Sequence, residues 1–138
     1  MKKVIVTGAA GLLGSHVATA FRSAGFDVTA IDSVAAEGCI RVDLTDPVAT
    51  SKAFGEADCV AHIASIPRPV GHEAADVFDT NMRLMFNVQT AMEKAGIGKL
   101  LFASSFSVLG LPFAPRPVEI AYLPVDENHP VAPQDVYA

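Results

Sequence analysis

The chain is 138 residues long, 51% hydrophobic and 18% charged, with a formal net charge of −5. That length fits one domain able to bury roughly two-thirds of its unfolded surface. An acidic balance without any basic cluster excludes the electrostatic footprint of a nucleic-acid or anionic-lipid binder.

Lys3-Val4-Ile5-Val6 reads as an apolar strand, and it runs directly into Thr7-Gly8-Ala9-Ala10-Gly11-Leu12-Leu13-Gly14. Glycines spaced G-x-x-G-x-x-G where a strand bends into a helix make a phosphate cradle, because backbone without a Cβ can turn sharply and approach a pyrophosphate closely. Gly14, one turn into the helix, permits tight packing on the strand, and the N–H groups and dipole of the helix start favour an anion. Gly8, Gly11, Leu12, Leu13 and Gly14 are therefore expected to hold a dinucleotide. Leu13, Val17, Ala20, Phe21 and Ala24 form an apolar stripe at helical spacing, which Gly25 stops. Lys2-Lys3, the apolar run and Ala18-Thr19-Ala20 superficially suggest a secretory signal, but Gly8, Gly11, Gly14, Ser15 and His16 interrupt the run.

The second strand, Asp27 to Ile31, ends in Asp32, eighteen residues after Gly14. An acid about 20 residues beyond such a bend accepts the adenosine ribose hydroxyls and repels a 2′-phosphate, which favours NAD over NADP. Aspartate also starts turns, here before Ser33, yet strand, bend, helix and strand in register favour ribose contact. Ile40 to Val42 reads as a third strand ending at Asp43-Leu44. Asp46 caps a helix opened by Pro47 and running to Gly55. A fourth strand spans Cys59 to Ile63, a long helical region spans about Glu73 to Ala95, and a fifth strand spans Lys99 to Ser104. Five strands joined by crossovers predict an α/β fold with a doubly wound parallel sheet, a Rossmann fold whose ligand lies at the carboxyl ends of the strands.

Cys39 and Cys59, both in predicted strands, are expected as buried reduced thiols of a cytoplasmic protein. The uncharged span from Leu100 to Pro115 is too short for a membrane helix of about 20 residues, so no membrane partner is expected. His16, His72 and His129 lack metal-ligand spacing, and no metal is expected. A P-loop is excluded because no Gly-Lys-Ser/Thr follows the glycines.

Six of the nine prolines follow Gly110, so residues 111–138 cannot be ordinary helix or central strand. Residues 1–110 read as the core βαβ units of one dinucleotide-binding domain. The proline-rich remainder reads as a long loop; a solvated tail is the plain alternative, but Leu111, Phe113, Ile120, Tyr122 and Leu123 suggest a segment that packs across the end of the sheet.

The TGxxGxxG bend, Asp32, Asp43-Leu44, His62-Ile63-Ala64-Ser65, Asn81 and Ser104-Ser105-Phe106-Ser107-Val108-Leu109-Gly110 together resemble the extended short-chain dehydrogenase/reductase family, and within it the NAD-dependent epimerase/dehydratase group acting on sugars and sugar nucleotides. The resemblance runs the length of the chain. It implies that Asp43 and Leu44 contact the adenine, that His62 and Ala64 sit beside the cofactor, and that Asn81 holds the active-site geometry at a local helix irregularity, although a histidine at a strand end such as His62 is equally often a satisfied structural group. It further implies a catalytic Ser105, with Ser104 before it and Ser107 as a second hydroxyl, although a serine pair there can also cap local backbone. Tyr137 resembles the tyrosine opening the family's YxxxK helix. A phenol titrates near ~10, and shifting it about three units takes on the order of 4 kcal/mol. The lysine that contributes to this in the family falls four residues on, past Ala138, so the 138 residues alone are expected to be inactive.

The implied reaction is hydride transfer between a substrate carbinol carbon and C4 of the nicotinamide, Tyr137 exchanging the hydroxyl proton and Ser105 orienting the oxygen. Dehydratases of the group carry an acidic pair where Phe106 and Ser107 stand, which disfavours dehydration. Leu109 stands where many epimerases carry tyrosine, so a sugar or uronate dehydrogenase, or a related reductase, competes with an epimerase. The expected partner is a small sugar or nucleotide-sugar substrate, with a substrate-binding lobe outside this chain. Family dimers, through the long helical region and the helix near Tyr137, imply a homodimer of the full-length protein. The alternatives are an isolated dinucleotide-binding module and a cofactor-sensing regulator in which the tyrosine is expendable.

Overall fold

The computed structural model describes residues 2–138. Five strands, β1 (Lys3–Thr7), β2 (Asp27–Asp32), β3 (Ile40–Arg41), β4 (Cys59–His62) and β5 (Leu100–Phe102), form one sheet in the order β3-β2-β1-β4-β5. Every neighbouring pair is parallel. Helix α1 (Leu12–Ser23) connects β1 to β2, α2 (Pro47–Ala53) connects β3 to β4, and α3 (Ala74–Ala95) connects β4 to β5. The chain steps outward from β1 to β3 and then returns to the other side of β1, so the winding reverses between β1 and β4. This is the expected doubly wound sheet, and in sheets of this kind ligands bind where the winding reverses.

Alternation along the strands feeds two cores. Val4, Val6, Ala30 and Ala61 pack with Ala18, Val17 and Phe21 of α1. Ile5, Ile31 and Val60 belong to the other core, with Leu84, Val88, Ala91 and Met92 of α3. A sheet covered on both faces needs apolar residues at consecutive positions, which is why β1 and β4 show no polar alternation.

The α1 stripe differs from the expected one. Gly14 and Ala18 are its buried residues, while Leu13 is 55% exposed and Ala20 and Ala24 are exposed. Small residues let the helix axis approach the sheet, and the larger Leu13 is thereby turned outward.

Strand ends shift for identifiable reasons. β3 stops at Arg41 because its partner ends at Asp32, whose carbonyl takes the Val42 N–H at 2.7 Å. β5 stops at Phe102, where its partner β4 runs out at His62. Ser104 thus lies beyond the strand, and an unforeseen 3-10 turn follows at Phe106–Leu109. Cys39 precedes β3 rather than lying in it, and both cysteines are free and only half-buried.

The chain divides into two compact units. One runs through Ser65 and includes Thr80–Ala103; the other comprises Ile66–Asp79 and Ser104–Ala138. The first holds the sheet. In the second, the 3-10 turn is tied to the proline-rich segment by the Ala132 N–H bonding to the Val108 carbonyl at 2.9 Å. His129, 9% exposed, accepts the Ala121 N–H at Nε2 and donates from Nδ1 to the Pro130 carbonyl. Tyr122 donates to Asp126 at 2.6 Å. Within this unit Leu111 is half-buried and the Tyr122 ring lies 5.0 Å from that of His129, while Phe113, Ile120 and Leu123 are exposed. Hydrogen bonds also shape this segment.

Among the described residues no helix is long and apolar enough to cross a membrane. Ile31 is fully buried in the sheet core, so Ile31→Ala should cost about 2–5 kcal/mol, measured as a lowered urea midpoint at unchanged slope.

Candidate dinucleotide-binding site

The glycine bend is built by close backbone contact. Gly8 has φ +69°, and a Cβ placed on it would come 2.7 Å from the Ala64 nitrogen. A Cβ on Gly14 would come 1.9 Å from the Gly8 carbonyl oxygen. Neither position tolerates a side chain. Gly11 is the N-cap of α1, with no side-chain cap and no acid in the first turn. The amides of Leu12, Leu13 and Gly14 therefore have no acceptor within the helix, which suits an anionic ligand. Leu12 is 84% exposed; it offers its amide rather than its side chain.

Asp32, at the end of β2, ties this bend to the sheet. Its Oδ2 accepts the Ala10 N–H at 2.9 Å, and its Oδ1 accepts the Val34 N–H at 3.0 Å. Asp32 thus makes the turn contact before Ser33 and also reaches back to the glycine bend. A carboxylate offers about four lone-pair positions, so Oδ2 retains capacity for a ribose hydroxyl.

One strand further out, the Asp43 carboxylate accepts the Thr45 N–H at 2.9 Å and its hydroxyl at 2.7 Å. The Thr45 hydroxyl, then its amide, hold the Asp43 carboxyl below the usual range. Leu44 is 3% exposed and anchors this loop in the core.

Thr7 joins the ends of β1 and β4. Its Oγ1 accepts the N–H groups of Ile63 and Ala64 at 3.2 and 3.3 Å and lies 2.7 Å from His62 Nδ1. With both lone pairs used, the hydroxyl proton goes to Nδ1, and the neutral ring carries its own proton on Nε2. His62 is 2% exposed and stacks on Phe102, with ring centroids 6.1 Å apart. Burial lowers its pKa to about 4.

Gly8, Gly11, Gly14, Asp32, Asp43, Leu44, His62 and Ala64 thus all lie in the unit that holds the sheet. Asn81 belongs to it too, half-buried on α3. Helix α3 runs as one element from Ala74 to Ala95 around it. Ser104, Ser105 and Tyr137 fall in the second unit. Ser105 caps the 3-10 turn by accepting the Ser107 N–H at 3.1 Å. Tyr137 is not yet helical, and Asp135 Oδ1 accepts its N–H at 2.8 Å as an N-cap does.

Two residues went unforeseen. Thr7 belongs to the TGxxGxxG bend, and the signal for its further role is that a hydroxyl at the end of a buried strand needs a partner. Asn87 is a polar residue between Leu84 and Val88 on the buried face of α3, and that break in apolar spacing was the available signal.

The model of the NAD-dependent epimerase/dehydratase family matches residues 4–138. The chain belongs to that family. Family members similar to it include a UDP-glucose 4-epimerase of Bacillus subtilis, 31% identical over 130 residues covering 79% of this chain and 38% of the relative. An L-arabinose 1-dehydrogenase (NAD(P)(+)) of Haloferax volcanii is 37% identical over 109 residues, 76% of this chain and 41% of the relative. Among solved structures, a short-chain dehydrogenase/reductase superfamily protein from Agrobacterium tumefaciens with bound NAD superposes with TM-score 0.80 at 28% identity, covering 98% of this chain and 40% of that one. The chain spans less than half the length of these family members.

The His62 pKa, lowered from 6.5 to about 4, sets a pH dependence. Between those values the unfolded chain binds a proton that the folded ring refuses, so stability rises with pH across that window. The contribution is complete above pH 6.5 and is lost as pH falls toward 4. Denaturant titrations should show the stability difference between the parent and His62→Asn shifting against the parent over that interval and staying flat above it.

Proposed function

We propose that this chain is the NAD-binding portion of an oxidoreductase or epimerase that acts by hydride transfer on a sugar, uronate or nucleotide sugar, with the substrate-binding lobe contributed by sequence outside these 138 residues. The observation that carries the reading is the Asp32 carboxylate hydrogen-bonded to the Ala10 amide, beside a cradle that a Cβ on Gly8 or Gly14 would fill. The bend takes the diphosphate on the α1 amides and Asp32 takes the ribose, which favours NAD over a 2′-phosphorylated dinucleotide. Asp43 and Leu44 border the adenine, while His62, Ala64 and Asn81 support the nicotinamide side.

Bound NAD supplies the hydride acceptor. Ser105 uses its oxygen to accept the Ser107 N–H, which leaves its O–H to donate to the substrate oxygen. Tyr137 takes the proton of the reacting hydroxyl, and in the family a lysine four residues on assists it. A polypeptide limited to these residues lacks that lysine and is expected to bind NAD without turnover. Phe106 and Ser107, in the place of an acidic pair, favour oxidation or epimerisation over dehydration. Exposed Met82 and Phe86 on α3 support a homodimer of the full-length protein, and the two free thiols support a cytoplasmic setting.

Asp32→Ala should weaken NAD by about tenfold or more, the weight of a charge-assisted hydrogen bond, and NADP by less. Calorimetry giving the same NAD/NADP preference in both proteins removes Asp32 from the site. In the full-length enzyme Tyr137→Phe should lower turnover about 10²–10⁴-fold with NAD affinity intact. Unchanged turnover would instead favour the reading in which the tyrosine is expendable.

A further inference from the structure

Asn87 is 5% exposed on a face of α3 otherwise given to Leu84, Val88, Ala91 and Met92. Its Nδ2 donates to the Leu44 carbonyl at 2.8 Å and the Thr45 carbonyl at 3.0 Å. Both partners are acceptors, which forces the amide orientation. The Thr50 hydroxyl approaches the Leu44 and Asp46 carbonyls at 3.2 and 2.7 Å, and the Asp46 N–H closes on the Asp43 carbonyl at 3.1 Å. Residues 43–46 thus form a turn with carbonyls directed at polar groups of α2 and α3, and with Asp43 exposed.

This turn begins beside Asp32. The Val42 N–H bonds the Asp32 carbonyl at 2.7 Å, and β3 lies against β2 on the flank away from β1. A dinucleotide whose diphosphate is on the bend and whose ribose is on Asp32 continues outward over residues 43–45. We infer that Asn87, a residue buried on α3, is a positioning residue for the adenosine end of the site: it sets the height and tilt of the 43–46 turn by holding two successive carbonyls. The inference rests on the dinucleotide reading. Removing the amide leaves the Thr45 carbonyl without this donor and frees the turn to shift, without altering any group that touches the diphosphate.

The test is AMP and NAD affinity of the full-length protein by calorimetry, with Val88→Ala as a neighbouring core control. Asn87→Leu should raise both dissociation constants by the same factor, about tenfold, as expected when a buried acceptor loses its partner. Val88→Ala should lower the melting temperature and leave both constants unchanged. Asn87→Asp keeps the shape but sets a carboxylate against two carbonyls, so AMP binding should be weaker still at neutral pH. It should recover as the pH is lowered and the protonated carboxyl donates again, a rescue that loss of packing cannot produce. AMP binding by Asn87→Leu equal to the parent's, or an equal loss in Val88→Ala, overturns the inference. Failure of the parent to bind either AMP or NAD overturns the dinucleotide reading itself.

Discussion

Beyond their ladder pairing, the ends of β1 and β4 are drawn together by one hydroxyl and one missing side chain, and the rest of the site depends on that junction. Thr7 Oγ1 takes the two amides that leave β4, and the next residue, Gly8, lies so close to Ala64 that a Cβ would strike its nitrogen. The winding of the sheet reverses at this place. Drawing the two strand exits together directs the bend toward α1 and fixes where Asp32, on the neighbouring strand, can reach Ala10.

Neutral groups do most of this fixing. His62 enters the junction as an uncharged ring whose proton arrangement follows from what Thr7 has already accepted. Asn87 contributes two bonds to a single turn without bringing a charge into the core, where an ion would require a partner of its own. The carboxylates, Asp32, Asp43 and Asp46, sit at strand ends and helix starts, where backbone amides satisfy them. At this end of the sheet the polar groups within are uncharged and the anions lie along the rim.

Strand and helix order was legible because each element carries its own local signal: consecutive apolar residues in β1 and β4, the Asp46-Pro47 start of α2, and glycines at helix ends. The TGxxGxxG spacing likewise marked the tight bend between β1 and α1 that Asp32 ties to the sheet. What stayed hidden depends on contacts between distant residues. The outward turn of Leu13 follows from how closely Gly14 lets α1 approach β1. The end of β5 follows from the length of β4, and Asn87 meets residues more than forty positions away. The proline-rich segment was legible as irregular, but its closure through Ala132 and His129 has no periodic signature.

The bend contains no lysine or arginine between Gly8 and Ser15. A diphosphate seated there is met by peptide dipoles, not by mobile cations with their own ionic atmosphere. Few small ions are released on association, so added electrolyte, which screens charge–charge attraction over about 8 Å at physiological strength, has little to act upon. Anion binding at this bend would accordingly depend on backbone shape, with no side-chain cation between residues 8 and 15 for added electrolyte to screen.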